Sequence, residues 1–152
     1  AQPEFGNNST LIKELDATKT DEPFFDDWGY VAEFKSPVKA TILADKLASI
    51  TSHDVFTVYG GPTNIKRLGV CTGGAKPYDR TLWEIIDKKL DGIVSGEIIE
   101  PSIAQAMGVG YNYFAAGHYA TEVFGVQELG KKLKENFGGK LEVEFIDLPN
   151  PL

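Results

Sequence analysis

The sequence predicts an α/β fold in which helices flank a mixed, partly parallel sheet. Of the 152 residues, 42% are hydrophobic and 24% are charged, which is the composition of an ordinary soluble domain with its own core. From residue 65 onwards, short apolar runs alternate with stretches whose apolar residues recur at helical spacing. This β-α-β-α-β-α-β order favours parallel neighbours, because each helix returns the chain to the same end of the sheet.

The first half of the chain is expected to hold a connecting segment and the first elements of the domain. Residues 1–29 are rich in Asn, Asp, Thr, Pro and Gly, and we interpret them as an N-terminal connecting segment. Within it, Ser9 can cap a short helix over residues 9–15, while residues 16–29 have the composition of a loop. The α/β domain then covers residues 30–152. Its first elements are predicted as a strand over 30–34, a helix over 36–50 that starts at Ser36 and Pro37, and strands over 55–59 and 65–71.

The second half alternates more regularly. Helices are predicted over residues 78–90, 101–107 and 118–137, and strands over residues 92–95, 110–116 and 141–146, before residues 149–151 end the regular structure. Three short loops, residues 72–74, 96–97 and 117–118, each follow a predicted strand. Ligands bind at the carboxyl ends of strands in parallel sheets, so we expect these loops to meet on one rim of the sheet.

Composition excludes several classes of function. Cys71 is the only cysteine, so no intrachain disulfide framework can form, and together with two histidines it cannot build a closed four-ligand zinc site. The formal net charge of −7 disfavours binding to a nucleic-acid backbone. No apolar run reaches the roughly 18 residues that span a bilayer, and the polar N-terminus does not resemble a signal peptide. The expected location is therefore the cytoplasm, with no membrane partner.

The strongest signal for chemistry is the pair His118 and Glu122. The two residues are four positions apart at the start of a predicted helix, so their Cβ atoms lie on one face about 5–6 Å apart. An imidazole and a carboxylate in this arrangement can bind one divalent ion, and the donor pair suits zinc, iron or manganese. The alternative interpretation is a capped helix whose polar pair holds no metal.

Glu97 is the candidate catalytic residue. It comes directly after an apolar strand, where a carboxylate can orient a metal ligand or act as a general base toward water. The alternative is a loop glutamate that caps the next helix or pairs with a lysine. The loop over residues 72–74 lacks the remaining residues of a phosphate-binding loop, and we interpret it as a tight turn.

The other reactive or aromatic residues are assigned to structural roles. Cys71 ends an apolar strand and is interpreted as a small buried hydrophobe, since a cysteine nucleophile would need His118 beside it. His53 lies in a polar link between a helix and a strand and is expected to be exposed. The aromatic residues at 111, 113 and 114 alternate along a strand, which favours a core role over a base-stacking platform.

Four segments together resemble one protein family. Residues 4–8 (EFGNN), 92–97 (GIVSGE), 117–122 (GHYATE) and 145–151 (FIDLPNP) occur in the order and at the spacing of the C-terminal half of the NIF-three-like proteins. These proteins are also called type 2 homologues of GTP cyclohydrolase I or dinuclear metal-centre hexameric proteins. The resemblance covers nearly the whole chain, and the GHYATE segment is its most specific motif.

The resemblance implies a metal-binding, hydrolase-like α/β protein with two divalent ions in each complete site. It assigns His118 and Glu122 as metal ligands and implies a homo-oligomer, a hexameric ring or cage. We therefore expect the C-terminal half of a metal-dependent hydrolase, acting on a phosphoester or nucleotide, whose metals activate water. The alternative is a non-catalytic assembly or regulatory module that binds other proteins.

Part of the family pattern does not occur in this sequence. The family's other ligands come from a His-His-Pro motif and an Asp in its N-terminal half, and neither occurs here. Gln2 also stands where a His is common in the family. A fragment or a natural short form would explain the difference, and we favour the fragment. In either case, two ligands can bind two metal ions tightly only with further donors from another chain. The N-terminal half of the same protein is therefore an expected partner. The fragment alone can lack its metals.

Overall fold

Six strands form one mixed sheet, and five helices cover it. The computed structural model describes residues 2–148 and residue 150. The strands are β1 (Thr18–Phe24), β2 (Gly29–Lys39), β3 (Phe56–Tyr59), β4 (Asn64–Val70), β5 (Gly92–Ser95) and β6 (Asn112–Ala115). The helices are α1 (Asn7–Glu14), α2 (Ala40–Thr51), α3 (Asp79–Asp87), α4 (Glu100–Val109) and α5 (His118–Asn136). The predicted α/β class, with its partly parallel sheet and flanking helices, is confirmed.

The strand order is β1-β2-β4-β5-β6-β3, with a parallel centre and antiparallel margins. β5 pairs in parallel with both β4 and β6, whereas β2 and β3 join the sheet as antiparallel neighbours. All four residues of β5 are buried, because a central parallel strand has helices on both of its faces. The carboxyl ends of β4, β5 and β6 therefore lie on one rim, as the sequence predicts.

The core has two parts, one on each face of the sheet. Alternate side chains of the central strands point to opposite faces, so Val94 and Phe114 belong to one part and Ile93 and Tyr113 to the other. Helices α1 and α2, with Phe124 of α5, cover the first part, while α3 and α4 cover the second. The aromatic residues at 111, 113 and 114 are fully buried, which confirms their predicted core role.

The prediction of a loop over residues 16–29 is wrong, because this segment contains strand β1. Its sequence, TKTDEPF, lacks apolar alternation since β1 is an edge strand with one neighbour, β2. Charges hold the strand in place. Arg67 of β4 reaches across β2, and its guanidinium pairs with Glu22 at 2.8 Å and with Glu33.

The predicted helix start at Ser36 and Pro37 is also wrong. These residues lie inside β2, between the paired residues Glu33 and Val38, where the register with β4 shifts. A proline fits such an irregularity because no ladder hydrogen bond is required of it there. β2 continues to Lys39, and helix α2 begins at Ala40.

The predicted strand over residues 141–146 is wrong as well, because these residues carry no strand pairing in the described part of the chain. They run beside α5 instead. Val143 packs against Gly130, and the Tyr119 hydroxyl donates a hydrogen bond to Asp147 at 2.5 Å. The alternating pattern of LEVEFI thus belongs to an exposed segment whose apolar side chains lie along a helix. Pro149 and Pro151 of the predicted terminal turn lie outside the described residues.

Residues 7–24 contribute both a helix and a strand, while the division of the chain at residue 29 stays a prediction. Helix α1 begins at Asn7 rather than at Ser9, and its first two side chains are used for long-range contacts. Asn7 accepts a hydrogen bond from the Gly125 backbone at 2.6 Å, and Asn8 accepts one from the Thr72 backbone at 2.8 Å. The two asparagines therefore join α1 to α5 and to the rim loop. Among the described residues, no helix has the length and apolar character needed to cross a bilayer.

Candidate metal centre

Three loops meet at the rim formed by the parallel strands, and hydrogen bonds between them fix their relative positions. The Gly96 amide donates to the Gly73 carbonyl at 2.9 Å, and the Gly73 amide donates to the Thr121 hydroxyl at 3.0 Å. The hydroxyl of Tyr113, in the core below, donates to the Glu97 carbonyl at 2.7 Å. The loop that carries Glu97 is thus held from the core side as well as from its neighbours.

Helix α5 begins at His118 because Gly117 supplies the turn before it. Gly117 has φ 88°, a conformation that L side chains rarely adopt, and a Cβ there would stand 2.9 Å from the His53 ring. The turn directs the chain from the end of β6 into the first turn of α5. His118 and Glu122 consequently share one face of that turn, as predicted.

The His118 ring lies between two carboxylates. Its Nδ1 is 2.5 Å from Glu97 Oε1, and its Nε2 is 3.1 Å from Glu122 Oε2. The hydrogen bond with Glu97, followed by the charge of Glu122, raises the pKa of His118 above its ordinary value of 6.5. When the ring is neutral, a proton on Nδ1 leaves the Nε2 lone pair directed toward Glu122.

Glu97 also has a second partner, which is Lys76. The ammonium of Lys76 pairs with Oε2 of Glu97, the oxygen that does not contact His118. The bond from Lys76, and then the bond from His118, lowers the pKa of Glu97 below its ordinary value. The carboxylate therefore stays ionised with both oxygens engaged.

The position of Glu122 depends on the glycine opposite it. Gly73 has φ 70°, and a Cβ at this position would approach Glu122 Oε1 to 2.3 Å. The loop over residues 72–74 was predicted as a tight turn, and it has a second role. Gly73 lets the backbone approach the Glu122 carboxylate, which a side chain at position 73 would displace.

An open cavity of about 710 Å³ lies in front of these side chains. Its polar end is formed by Glu97, His118 and Glu122, and apolar side chains such as Val123 and Phe145 form its walls. The His118 side chain is 43% exposed, so its ring can be reached from this cavity.

The donor set fits part of a metal site. Two atoms of different ligand types, His118 Nε2 and Glu122 Oε2, stand 3.1 Å apart, a spacing at which both can contact one ion. The carboxylate on Nδ1 completes the common arrangement in which an outer carboxylate orients a metal-binding histidine. Within residues 2–148 and 150, no group of three or more His, Cys, Asp or Glu side chains forms a candidate metal site. A complete coordination shell therefore needs donors from elsewhere.

The remaining predicted residues lie outside this arrangement. Cys71 is buried, and burial raises the pKa of its thiol to about 12, which favours the predicted structural role. His53 is half-buried rather than exposed, with its ring against Gly117 and its Nδ1 2.6 Å from the Asp54 carbonyl.

Sequence reasoning did not identify Lys76 as part of the site. A lysine in a loop carries no local signal for such a role. The possibility that Glu97 pairs with a lysine was an open alternative, and the structure shows that this pair and the bond from Glu97 to His118 occur together.

Comparison with known proteins agrees with the motifs. The profile of the family described as Duf34/NIF3 (NGG1p interacting factor 3) matches residues 1–151. A GTP cyclohydrolase 1 type 2 homolog of Yersinia pestis is 34% identical over 152 residues, which cover 99% of this chain and 59% of the relative. The homolog of the same name from Escherichia coli K12 is 35% identical over 158 residues, with the same coverage of both chains. This chain thus spans about three fifths of the length of these curated relatives.

Solved structures share the fold along the whole chain. Protein ybgI, described as being of unknown function, has a TM-score of 0.87 and 31% identity over all of this chain and 59% of its own. TTHA1606 from Thermus thermophilus has a TM-score of 0.78 and 27% identity over all of this chain and 58% of its own. The motif-based resemblance is confirmed, and the chain belongs to the Duf34/NIF3 family.

Proposed function

We propose that this chain supplies two ligands, His118 and Glu122, to the divalent-metal centre of a hydrolase-like protein. One observation carries the proposal: His118 Nε2 and Glu122 Oε2 lie 3.1 Å apart beside an open cavity, while a carboxylate engages the other ring nitrogen. Zinc, iron or manganese suits this donor pair. A bound ion of this kind supplies Lewis acidity toward a phosphoryl group or an electrophilic ring carbon.

The chain's own residues have distinct roles in this proposal. His118 and Glu122 bind, and Glu97 orients the imidazole from the opposite side. Of the two roles expected for Glu97, orientation is favoured over proton transfer, because one oxygen contacts His118 and the other contacts Lys76. Apolar side chains such as Val123 and Phe145 line the space next to these donors.

Metal binding tests the proposal directly. We expect the full-length protein to retain zinc, manganese or iron after dialysis, measured by inductively coupled plasma mass spectrometry. The variant His118→Ala should bind the metal at least about 10-fold more weakly, because it loses a ligand. His53→Ala is the matched control, since it removes the other histidine of these 152 residues, which lies outside the proposed ligand pair, and it should bind normally. Equal metal binding by wild type and His118→Ala would contradict the proposal.

The hydrolase part of the proposal needs a separate test. A panel of phosphodiester and nucleotide substrates, assayed with the metal-loaded full-length protein, should reveal an activity that His118→Ala lacks. If the protein binds metal but hydrolyses no substrate in the panel, the proposed metal site is supported and the second candidate function is favoured.

The second candidate is a non-catalytic assembly module, which an exposed apolar stripe on α5 favours. Val126, Leu129 and Leu133 of α5 and Phe137, the residue that caps it, recur at helical spacing and are each at least 39% exposed. Apolar stripes of this kind often contact other protein surfaces. Sedimentation of the wild type and of Leu133→Glu should then show a loss of assembly in the variant, whereas a monomeric wild type would rule out self-assembly.

A further inference from the structure

Lys76 lies outside the proposed ligand set, yet it contacts the carboxylate that orients His118. Its ammonium pairs with Glu97 Oε2, while Glu97 Oε1 is 2.5 Å from His118 Nδ1. The side chains of Lys76 and Glu97 are 31% and 36% exposed, so solvent reaches both. Without Lys76, one oxygen of Glu97 would have water as its partner, and the side chain could rotate away from His118.

The backbone around Lys76 is held by buried neighbours and by a hydrogen bond to the end of β5. Ala75 and Pro77, on either side of it, are both buried. The buried hydroxyl of Ser95 donates to the Ala75 carbonyl, which ties this loop to the end of β5. The ammonium is therefore presented from an anchored loop, two positions beyond the residues that line the rim at Gly73 and Gly74.

The orientation of Glu97 decides which nitrogen of His118 carries the proton. Two carboxylates compete for the ring, Glu97 at 2.5 Å from Nδ1 and Glu122 at 3.1 Å from Nε2. A neutral imidazole has one N–H and one lone pair, so it can bind a metal through Nε2 only when the proton is on Nδ1. A fixed Glu97 favours this tautomer, whereas a mobile Glu97 would leave Nε2–H to bond with Glu122.

We propose that Lys76 is a positioning residue of the metal centre: it holds Glu97 against His118 Nδ1 and so keeps Nε2 available as a ligand. This inference rests on the proposed function, because it takes His118 Nε2 as a metal ligand. Lys76 acts through Glu97 and touches neither the ion nor a substrate.

The affinity for Co²⁺ tests this role in the full-length protein. Lys76→Met should weaken Co²⁺ binding about 10-fold, the effect typical of losing an outer partner of a ligand, and should change the visible absorption of bound Co²⁺. Lys76→Arg should restore the affinity, because a guanidinium can also bond a carboxylate. Lys88→Met is the matched control, since it removes a similar half-buried ion pair, with Glu84, away from the site.

A double variant separates action through Glu97 from a general loss of positive charge. In the Glu97→Gln background, Lys76→Met should cause no further loss of Co²⁺ affinity. The inference is overturned if Lys76→Met binds Co²⁺ like the wild type, or if its loss is as large in the Glu97→Gln background as in the wild type.

The His118 tautomer gives a readout that does not depend on metal. Long-range ¹H–¹⁵N spectra of the metal-free protein, recorded where the ring is neutral, should show Nδ1–H for His118 in the wild type and a mixture of tautomers in Lys76→Met. The spectrum of His118→Ala assigns the signals, because only those of His118 are missing from it. If the wild type binds no metal, the proposed function fails, and an unchanged tautomer in Lys76→Met overturns the role of Lys76 independently.

Discussion

Two clusters of charged side chains in this protein have the same composition but differ in their capacity to bind a ligand. At the polar edge of the sheet, Arg67 joins Glu22 and Glu33 across three strands. At the rim, His118 joins Glu97 of the loop after β5 and Glu122 of its own helix, α5. Each cluster holds one basic group between two carboxylates and connects segments that are distant in the sequence.

The clusters differ in what remains for a ligand. Each of the three guanidinium nitrogens of Arg67 has a partner. Both terminal nitrogens pair with glutamates, and Nε donates a hydrogen bond to the Lys88 carbonyl at 3.0 Å. Arginine also lacks a lone pair for binding a metal. His118 lines a cavity of about 710 Å³ and has a nitrogen whose proton a metal can replace. The proposed metal site thus differs from the Arg67 cluster in having a nitrogen that can bind a metal, rather than in its charge.

Gly73→Ala should weaken metal binding more than any other variant of the two clusters. The new Cβ would stand 2.3 Å from Glu122 Oε1, at a residue whose φ of 70° disfavours any side chain, so the carboxylate must leave the position in which its Oε2 is 3.1 Å from His118 Nε2. We expect at least about 10-fold weaker metal binding, judged against the losses seen for disturbed ligand partners. Isothermal titration calorimetry with Zn²⁺ measures this.

Gly74→Ala is the control for Gly73→Ala. A Cβ at position 74 lies 3.4 Å or more from its nearest neighbours, the side chains of His118 and Glu97, which is ordinary contact. Its metal affinity should stay near the wild-type value. Equal losses in both variants would indicate a general disturbance of the loop rather than displacement of Glu122.

Arg67→Met should have the opposite profile, with a loss of stability and no loss of metal affinity. Removing the guanidinium breaks charge-assisted hydrogen bonds to two glutamates, so the free energy of unfolding should fall by about 2 kcal/mol. Urea denaturation measures the change. The comparison between the clusters fails if Arg67→Met weakens Zn²⁺ binding as much as Gly73→Ala does.

The smallest expected effect is the pH dependence of the metal-free protein. The pKa of His118 is raised in the folded state, mainly by Glu97, so protonation of the ring favours folding. This stability is fully present below the ordinary pKa of 6.5 and is lost as the pH rises through the higher folded-state pKa. The Tm of the wild type should therefore exceed that of His118→Ala more at low pH than at high pH, by thermal melts in buffers of increasing pH. A difference in Tm between the two proteins that does not change with pH would contradict this prediction.

The same contrast explains what sequence reasoning could find. Strands β5 and β6 were predicted because all of their residues are buried, and burial on both faces leaves a mainly apolar run. In β4 only the second half has this character. The positions of the loops after these strands follow from the topology. Because the carboxyl ends of parallel strands lie on one rim, the sequence alone predicts that Glu97 and His118 are on the same rim. Local spacing on α5 was enough to bring Glu122 beside His118.

Polar contacts and tertiary packing account for the missed features. Strand β1 is held by the backbone ladder and by Arg67, neither of which leaves an apolar pattern in TKTDEPF. Residues 141–146 alternate like a strand, yet their apolar side chains lie beside α5. Lys76 was missed because a pair between two loops depends on their tertiary approach. Such contacts have no fixed spacing in the sequence.

Crystallography can show whether His118 and Glu122 hold a metal ion, as proposed above. Crystals of the full-length protein soaked in Zn²⁺ should show, in data collected at the zinc absorption edge, an anomalous peak about 2.0–2.2 Å from His118 Nε2 and from a Glu122 oxygen. Density for Glu97 should remain on the Nδ1 side of the ring. An ordered His118 and Glu122 with no anomalous peak between them would contradict the account.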